Sequence, residues 1–151
     1  MRRLTISIDD DVADRFDRLV KERGYANRSE AFRDLVRGEL GRDQLDAGTA
    51  KYCVGTLSYV YNHHERQLAA RLMTQQHDHH DIVISSMHAH LDHDNCIETV
   101  ILRGPTDKVL EFARRTIAEK GVRNGRFHPI PVVSETLKQF GKGHVHLHPL
   151  T

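Results

Sequence analysis

The sequence predicts an α+β protein in two parts: a short N-terminal strand followed by two helices, then a βαββαβ domain. Three observations carry this. Residues 3–8 alternate strictly, residues 12–40 carry two apolar stripes at helical spacing, and beyond residue 51 the pattern changes to strand-like runs separated by two helical stretches.

In the first part, Leu4, Ile6 and Ile8 share one face of a half-buried strand, and Arg3, Thr5 and Ser7 share the other. Asp9, Asp10 and Asp11 supply N-cap candidates for a helix with Val12, Phe16, Leu19 and Val20 inward, which Gly24 stops. Asn27-Arg28-Ser29-Glu30 reads as a capping box, with Asn27 accepting and Glu30 reaching back. The second helix runs from about Arg28 to Leu40, with Ala31, Phe32, Leu35, Val36 and Leu40 inward, and Gly41 ends it. Residues 41–51 show no periodicity and read as a connection. The domain limits are therefore set at 1–45, a linker at 46–51, a second domain at 52–132 and a His-containing tail at 133–151.

In the second part, residues 52–61 read as a strand and 63–76 as a helix with Leu68, Leu72 and Met73 inward. Residues 82–90 and 96–103 read as two strands joined by the polar loop Leu91 to Asn95. Pro105 opens a helix with Val109, Leu110, Phe112, Ala113 and Ile117 inward before Gly121, and 122–130 reads as a last strand. That order is the split ferredoxin-like (ACT-like) arrangement. The tail shows no clear periodicity and is expected to be flexible.

Composition sets the outer limits. A unit of about 45 residues buries too little surface to stand alone, so it needs a partner chain. There is no apolar run near the roughly 20 residues that cross a bilayer, and the start MRRLTISIDDD has no signal-peptide pattern. The expectation is a cytoplasmic protein with no membrane association. A net charge of +1 neither supports nor excludes nucleic acid. Histidine is the informative residue: eight of the twelve fall in 63–93 and three in 144–148, a bias that points to metal. Cys53 and Cys96 make no disulfide framework.

A lone six-residue strand leaves its backbone donors and acceptors unpaired. The simplest partner is the same strand of a second copy across a two-fold axis, giving an intertwined dimer with Leu4, Ile6 and Ile8 facing the helices. Arg3, Thr5 and Ser7 then project from a two-stranded ribbon, which fits the major groove of double-stranded DNA. The start of the second helix, at Arg28 and Ser29, suits a phosphate. The unit resembles the ribbon-helix-helix repressors.

His88-Ala89-His90 ends a predicted strand, so both imidazoles project to one face. Cys96 opens the next strand across a tight loop, and a thiolate beside two imidazoles makes three ligands. A closed site wants a fourth, for which His77, His79 and His80 are the candidates. The donor set favours nickel, copper, zinc or cobalt without choosing among them. His63 and His128 read as surface histidines. His144, His146 and His148 alternate but sit on the presumed flexible tail, which offers no fixed geometry. No nucleophile or general base stands beside an open position, which argues against an enzyme.

Over about residues 2–130 the chain resembles the nickel-responsive repressors of the ribbon-helix-helix class. The stretches that carry the likeness are Thr5-Ile6-Ser7-Ile8-Asp9-Asp10-Asp11, Arg23-Gly24-Tyr25-Ala26-Asn27-Arg28-Ser29-Glu30-Ala31, Leu57-Ser58-Tyr59-Val60-Tyr61 and His88 through Cys96. The resemblance implies a homotetramer, a dimer of dimers that binds Ni(II) through His88, His90 and Cys96 of one subunit and His77 of a neighbour. Glu98 stands just behind the ligands in that scheme, and Arg3, Thr5 and Ser7 read bases of a palindromic operator. It further implies a second cation, K+ or another, at Glu30 and Asp34 with backbone carbonyls of Ile117, Glu119 and Val122. The function so implied is nickel-dependent repression, with nickel-uptake genes as the plausible targets. Alternatives are a copper, cobalt or zinc sensor on the same fold, or a metal storage or delivery protein. Ser7 departs from the Thr familiar in the family, and Cys53, with no family role, reads as a buried small hydrophobe.

Overall fold

The structure is a computed structural model that describes the backbone of residues 3–139 and 142–151 and the side chains of 3–135 and 145–151. It divides into two compact units, residues 1–40 and 41–151.

In the first unit, residues 3–9 form neither strand nor helix. The predicted strand has nothing to pair with in one chain, and a ladder cannot form without a partner. Leu4, Ile6 and Ile8 stand 68%, 56% and 50% exposed. Helix α1 spans Asp10–Glu22 and buries no residue. It ends as the sequence indicated: Gly24, at φ 71°, takes the left-handed position. Its N–H donates to the Lys21 carbonyl at 3.1 Å and that of Tyr25 to Val20 at 3.0 Å, the paired bonds of a Schellman motif.

Helix α2 spans Arg28–Asp46. Asn27 Oδ1 accepts from the Glu30 N–H at 2.9 Å, so half of the capping box forms. Glu30 does not reach back; its carboxylate pairs with Arg33 one turn on. The helix also runs past Gly41, correcting the expected stop. The true stop is Gly48, at φ 66°, where Gly48 donates to Leu45 and Thr49 to Gln44, each at 3.1 Å. Both glycines carry the same local signal, but only Gly48 adopts the conformation that ends a helix.

The second unit is a five-stranded antiparallel sheet in the order β2-β3-β1-β4-β5. The strands are β1 (Tyr52–Asn62), β2 (Val83–His90), β3 (Asn95–Pro105), β4 (Arg123–Gln139) and β5 (Lys142–Pro149). Helices α3 (Arg66–Asp78) and α4 (Thr106–Ile117) complete it. The first four strands give the expected ferredoxin-like order. Both helices cover one face, where Leu57, Tyr59, Tyr61, Cys96, Val100 and Leu102 of the sheet pack with Leu68, Leu72, Val109 and Phe112. Cys53 is buried in the same core, as a small hydrophobe would be.

Gly55 marks a close approach of β1 to β4. A Cβ there would lie 2.6 Å from the His128 carbonyl oxygen and 2.7 Å from the Phe127 ring. Gly55→Ala is therefore expected to lower stability by about 1–3 kcal/mol, as overpacking does, read as a reduced urea midpoint at unchanged m-value.

The tail also departs from expectation. Strand β4 runs on to Gln139, and β5 pairs with it at eight positions from Val132↔Pro149 to Gln139↔Lys142. Residues 133–139 and 142–149 therefore pair as two antiparallel strands, which the sequence did not announce because neither carries a continuous apolar alternation. No helix among the described residues is long and apolar enough to cross a membrane.

Candidate metal centre

The antiparallel registers place the chemistry at one end of the sheet. His90 pairs with Cys96 and His88 with Glu98 across β2 and β3, while Tyr61 and Tyr59 stand opposite Cys96 and Glu98 on β1. Because residues directly opposite share a face, His88, His90, Cys96, Glu98, Tyr59 and Tyr61 all line the helix-covered side. The loop between β2 and β3 is held by Asp92, whose Oδ1 accepts from the Asp94 and Asn95 N–H groups at 2.8 Å each. These bonds, that from the Asn95 side chain foremost, hold the Asp92 carboxyl below its usual range.

At this loop Cys96 Sγ lies 3.0 Å from His63 Nδ1 and 3.8 Å from His90 Nδ1. The three donor atoms fall within 4.8 Å of one another. His88 lies beside them, its ring edge-on to that of His90 with centroids 5.4 Å apart. Burial, then Glu98 and Asp92, push the Cys96 thiol up. Burial foremost, then His64, lowers His63. Both shifts favour a neutral thiol and a neutral imidazole, so a cation that takes the sulfur as thiolate must displace its proton.

Sequence reasoning missed His63, which it set aside as a surface residue. The available signal was strand register: Asn62 ends β1 opposite Asn95, and the His63 N–H donates to the Asp94 carbonyl at 3.1 Å. The residue just beyond β1 is thus delivered to Cys96. A second donor group is exposed nearby, with His64 from the turn after β1 and His93 and Asp94 from the β2–β3 loop.

The candidates for a fourth ligand lie elsewhere. His79 Nδ1 is 2.8 Å from the Gln75 carbonyl, and its ring packs edge-on against Phe112. His80 Nδ1 is 3.3 Å from the His77 carbonyl. His77, in the last turn of α3, is exposed and stands outside the cluster. Its neighbour Gln76 ties that turn to the sheet, donating to Glu98 Oε1 at 2.5 Å and to the Tyr59 hydroxyl oxygen at 3.2 Å. Burial, reinforced by Glu98, pushes the Tyr61 hydroxyl up to about 12.

In the first unit, Arg3, Thr5 and Ser7 are exposed. Arg28 is not a free phosphate donor: it grips Asp17 with two bonds, at 2.6 and 2.5 Å. Ser29 offers its carbonyl to Arg33 at 3.3 Å. Of the expected second-cation residues, Glu30 pairs with Arg33 and Asp34 accepts from the Tyr25 hydroxyl. In the second unit the Glu119 carbonyl already accepts from Val122 at 3.0 Å, and its carboxylate from Arg71 at 2.9 Å.

Two helices preceded by an unpaired N-terminal segment, in one chain with a ferredoxin-like sheet that carries a thiol–imidazole cluster, are the parts of a regulator built on a ribbon-helix-helix unit. Residues 2–43 match the family described as ribbon-helix-helix protein, copG family, and residues 54–130 match the NikR C terminal nickel binding domain. The chain belongs to the family of nickel-responsive regulators, and it is a regulator rather than an enzyme. It is 48% identical over 132 residues to the nickel-responsive regulator of Brucella suis biovar 1 and to the putative nickel-responsive regulator of Brucella ovis. It is 47% identical to the nickel-responsive regulator of Brucella melitensis biotype 1. Each match covers 87% of this chain and the whole of the relative.

Proposed function

We propose that this protein is a cytoplasmic, nickel-dependent DNA-binding repressor whose metal centre is built on Cys96 and His90. The observation that carries the reading is the convergence of a buried thiol with imidazole nitrogens at the β2–β3 loop. Three imidazoles and one thiolate suit square-planar Ni(II). The proposed set is His88, His90 and Cys96 from one subunit and His77 from a neighbour. Glu98 positions α3 through Gln76.

Exposed apolar surface supports assembly. Edge strand β2 carries exposed Ile84 and Met87, with Met73 and Leu91 also exposed, and such an edge calls for a cover. A second copy there would bring a second His77 to the site. In the first unit Leu4, Ile6, Ile8 and Val12 have no core of their own, as a two-fold ribbon dimer requires. The resulting dimer of dimers would present Arg3, Thr5 and Ser7 to the two halves of a palindromic operator. Metal binding and DNA binding are then linked, and each must tighten the other. A second cation, K+ or another, at Glu30 and Asp34 with the Ile117, Glu119 and Val122 carbonyls, would need those carboxylates to exchange their present partners. Control of nickel uptake fits such a sensor.

The nearness of His63 to Cys96 favours a second reading, in which His63 is itself a ligand. Two variants separate them. His77→Ala is expected to weaken Ni(II) binding by at least about tenfold and to lose the planar charge-transfer absorption, while His63→Ala leaves that absorption in place. The reverse result assigns the site to His63. Because the ligands must lose their protons, affinity is expected to fall as pH falls, seen by titrating Ni(II) against a competing chelator at several pH values.

A further inference from the structure

Beyond residue 130, where the family match ends, the chain builds a feature the proposed function does not use. Strand β1 begins at Tyr52, opposite Val132. From Val133 onward β4 pairs with β5, so the two form a ribbon that continues past the end of β1. Two-stranded ribbons are marginal in water unless something clasps them.

On one face of this ribbon Glu135 stands directly opposite His146, and His148 stands opposite Val133 two residues on. Alternate residues share a face, so both imidazoles and the carboxylate point the same way. His148 Nε2 lies 3.4 Å from Glu135 Oε2. The His146 and His148 rings lie side by side, 12° from parallel with centroids 6.1 Å apart. All three are exposed. His144 continues the alternation opposite Leu137, although its side chain lies outside the described residues. Flexibility was the objection to a site here; the ladder, where formed, fixes the spacing of these positions, and closing on an ion costs rotamer freedom in exposed side chains whose near-parallel rings must turn toward one another.

We propose that His146, His148 and Glu135 form a second metal site, specific to this chain's C-terminal ribbon, for a late first-row divalent cation. Imidazole and carboxylate donors suit such ions, and coordination across β4 and β5 clasps the ribbon. With no thiolate among its ligands, the site gives no sulfur charge-transfer absorption. It can therefore be read separately from the Cys96 centre, and its failure would leave the proposed function untouched.

The test is equilibrium dialysis of the full chain against Ni(II) with the bound metal counted, followed in parallel by charge-transfer absorption. His146→Gln/His148→Gln is compared with the native protein. Native protein is expected to hold one more ion per chain than the variant, with the same absorption titration in both. Glu135→Gln, nearly isosteric and on the surface, is expected to weaken the additional ion by at least about tenfold, no less than loss of a supporting group outside the ligands costs. Equal metal counts in the native protein and both variants would overturn the proposal and leave Glu135 and His148 as a surface ion pair only.

Discussion

Cys96→Ala is expected to abolish metal-dependent operator binding while leaving the chain folded. The sulfur is the one soft donor in the cluster, 3.0 Å from His63 and 3.8 Å from His90. Removing a partner outside the ligand set typically costs a metal site about 10–100-fold in affinity, and removing the thiolate itself should cost more than about 100-fold. The fold should survive, because the substitution deletes one sulfur from a core that keeps Leu57, Val100, Leu102 and Phe112. Circular dichroism should thus be unchanged while the nickel charge-transfer absorption disappears. His90→Ala should behave alike.

Arg3→Ala is expected to give the opposite separation: operator binding lost, metal binding kept. Arg3 lies in an exposed extended segment of the first unit, and the metal donors lie in the second. A bidentate arginine–guanine contact is worth about 1–3 kcal/mol, or about 5- to 150-fold in affinity. A dimer of dimers repeats the contact, so the loss compounds. Ni(II) titration of the variant should follow the native curve. Normal operator binding by Arg3→Ala would refute the ribbon as the DNA reader.

In the second unit much of the fold could be read from periodicity, because β1 and β3 bury the residues their alternation puts inward, whereas α1 buries none of its apolar stripe and Met73 of α3 stands 73% exposed. Leu57, Tyr59 and Tyr61 alternate into the core, as do Cys96, Val100 and Leu102 on β3. Local signals failed at the end of α2: Gly41 read as the stop, but the helix runs through it to Asp46, and Gly48 takes the left-handed position. The N-terminal strand was legible as a pattern, yet it cannot exist as a strand in a single chain, because its hydrogen bonds belong to another molecule. In the site, the spacing of His88, His90 and Cys96 pointed to the hairpin on which His90 and Cys96 stand beside His63. His63 stayed hidden because its nearness to Cys96 comes from the β1–β3 pairing, which joins residues 33 apart in sequence. The C-terminal ribbon was hidden for a related reason: its strands have no strong apolar face, and only their mutual pairing identifies them.

The central claim is that nickel held at Cys96 and His90 controls the grip of the N-terminal ribbons on DNA. A gel-shift assay of the native chain and Cys96→Ala on a palindromic upstream region, with and without Ni(II), tests it most directly. The expected result is a retarded complex that forms with the native chain only when Ni(II) is present and never with the variant. Equal retardation with and without the metal, or a nickel-dependent complex formed by Cys96→Ala, would contradict it.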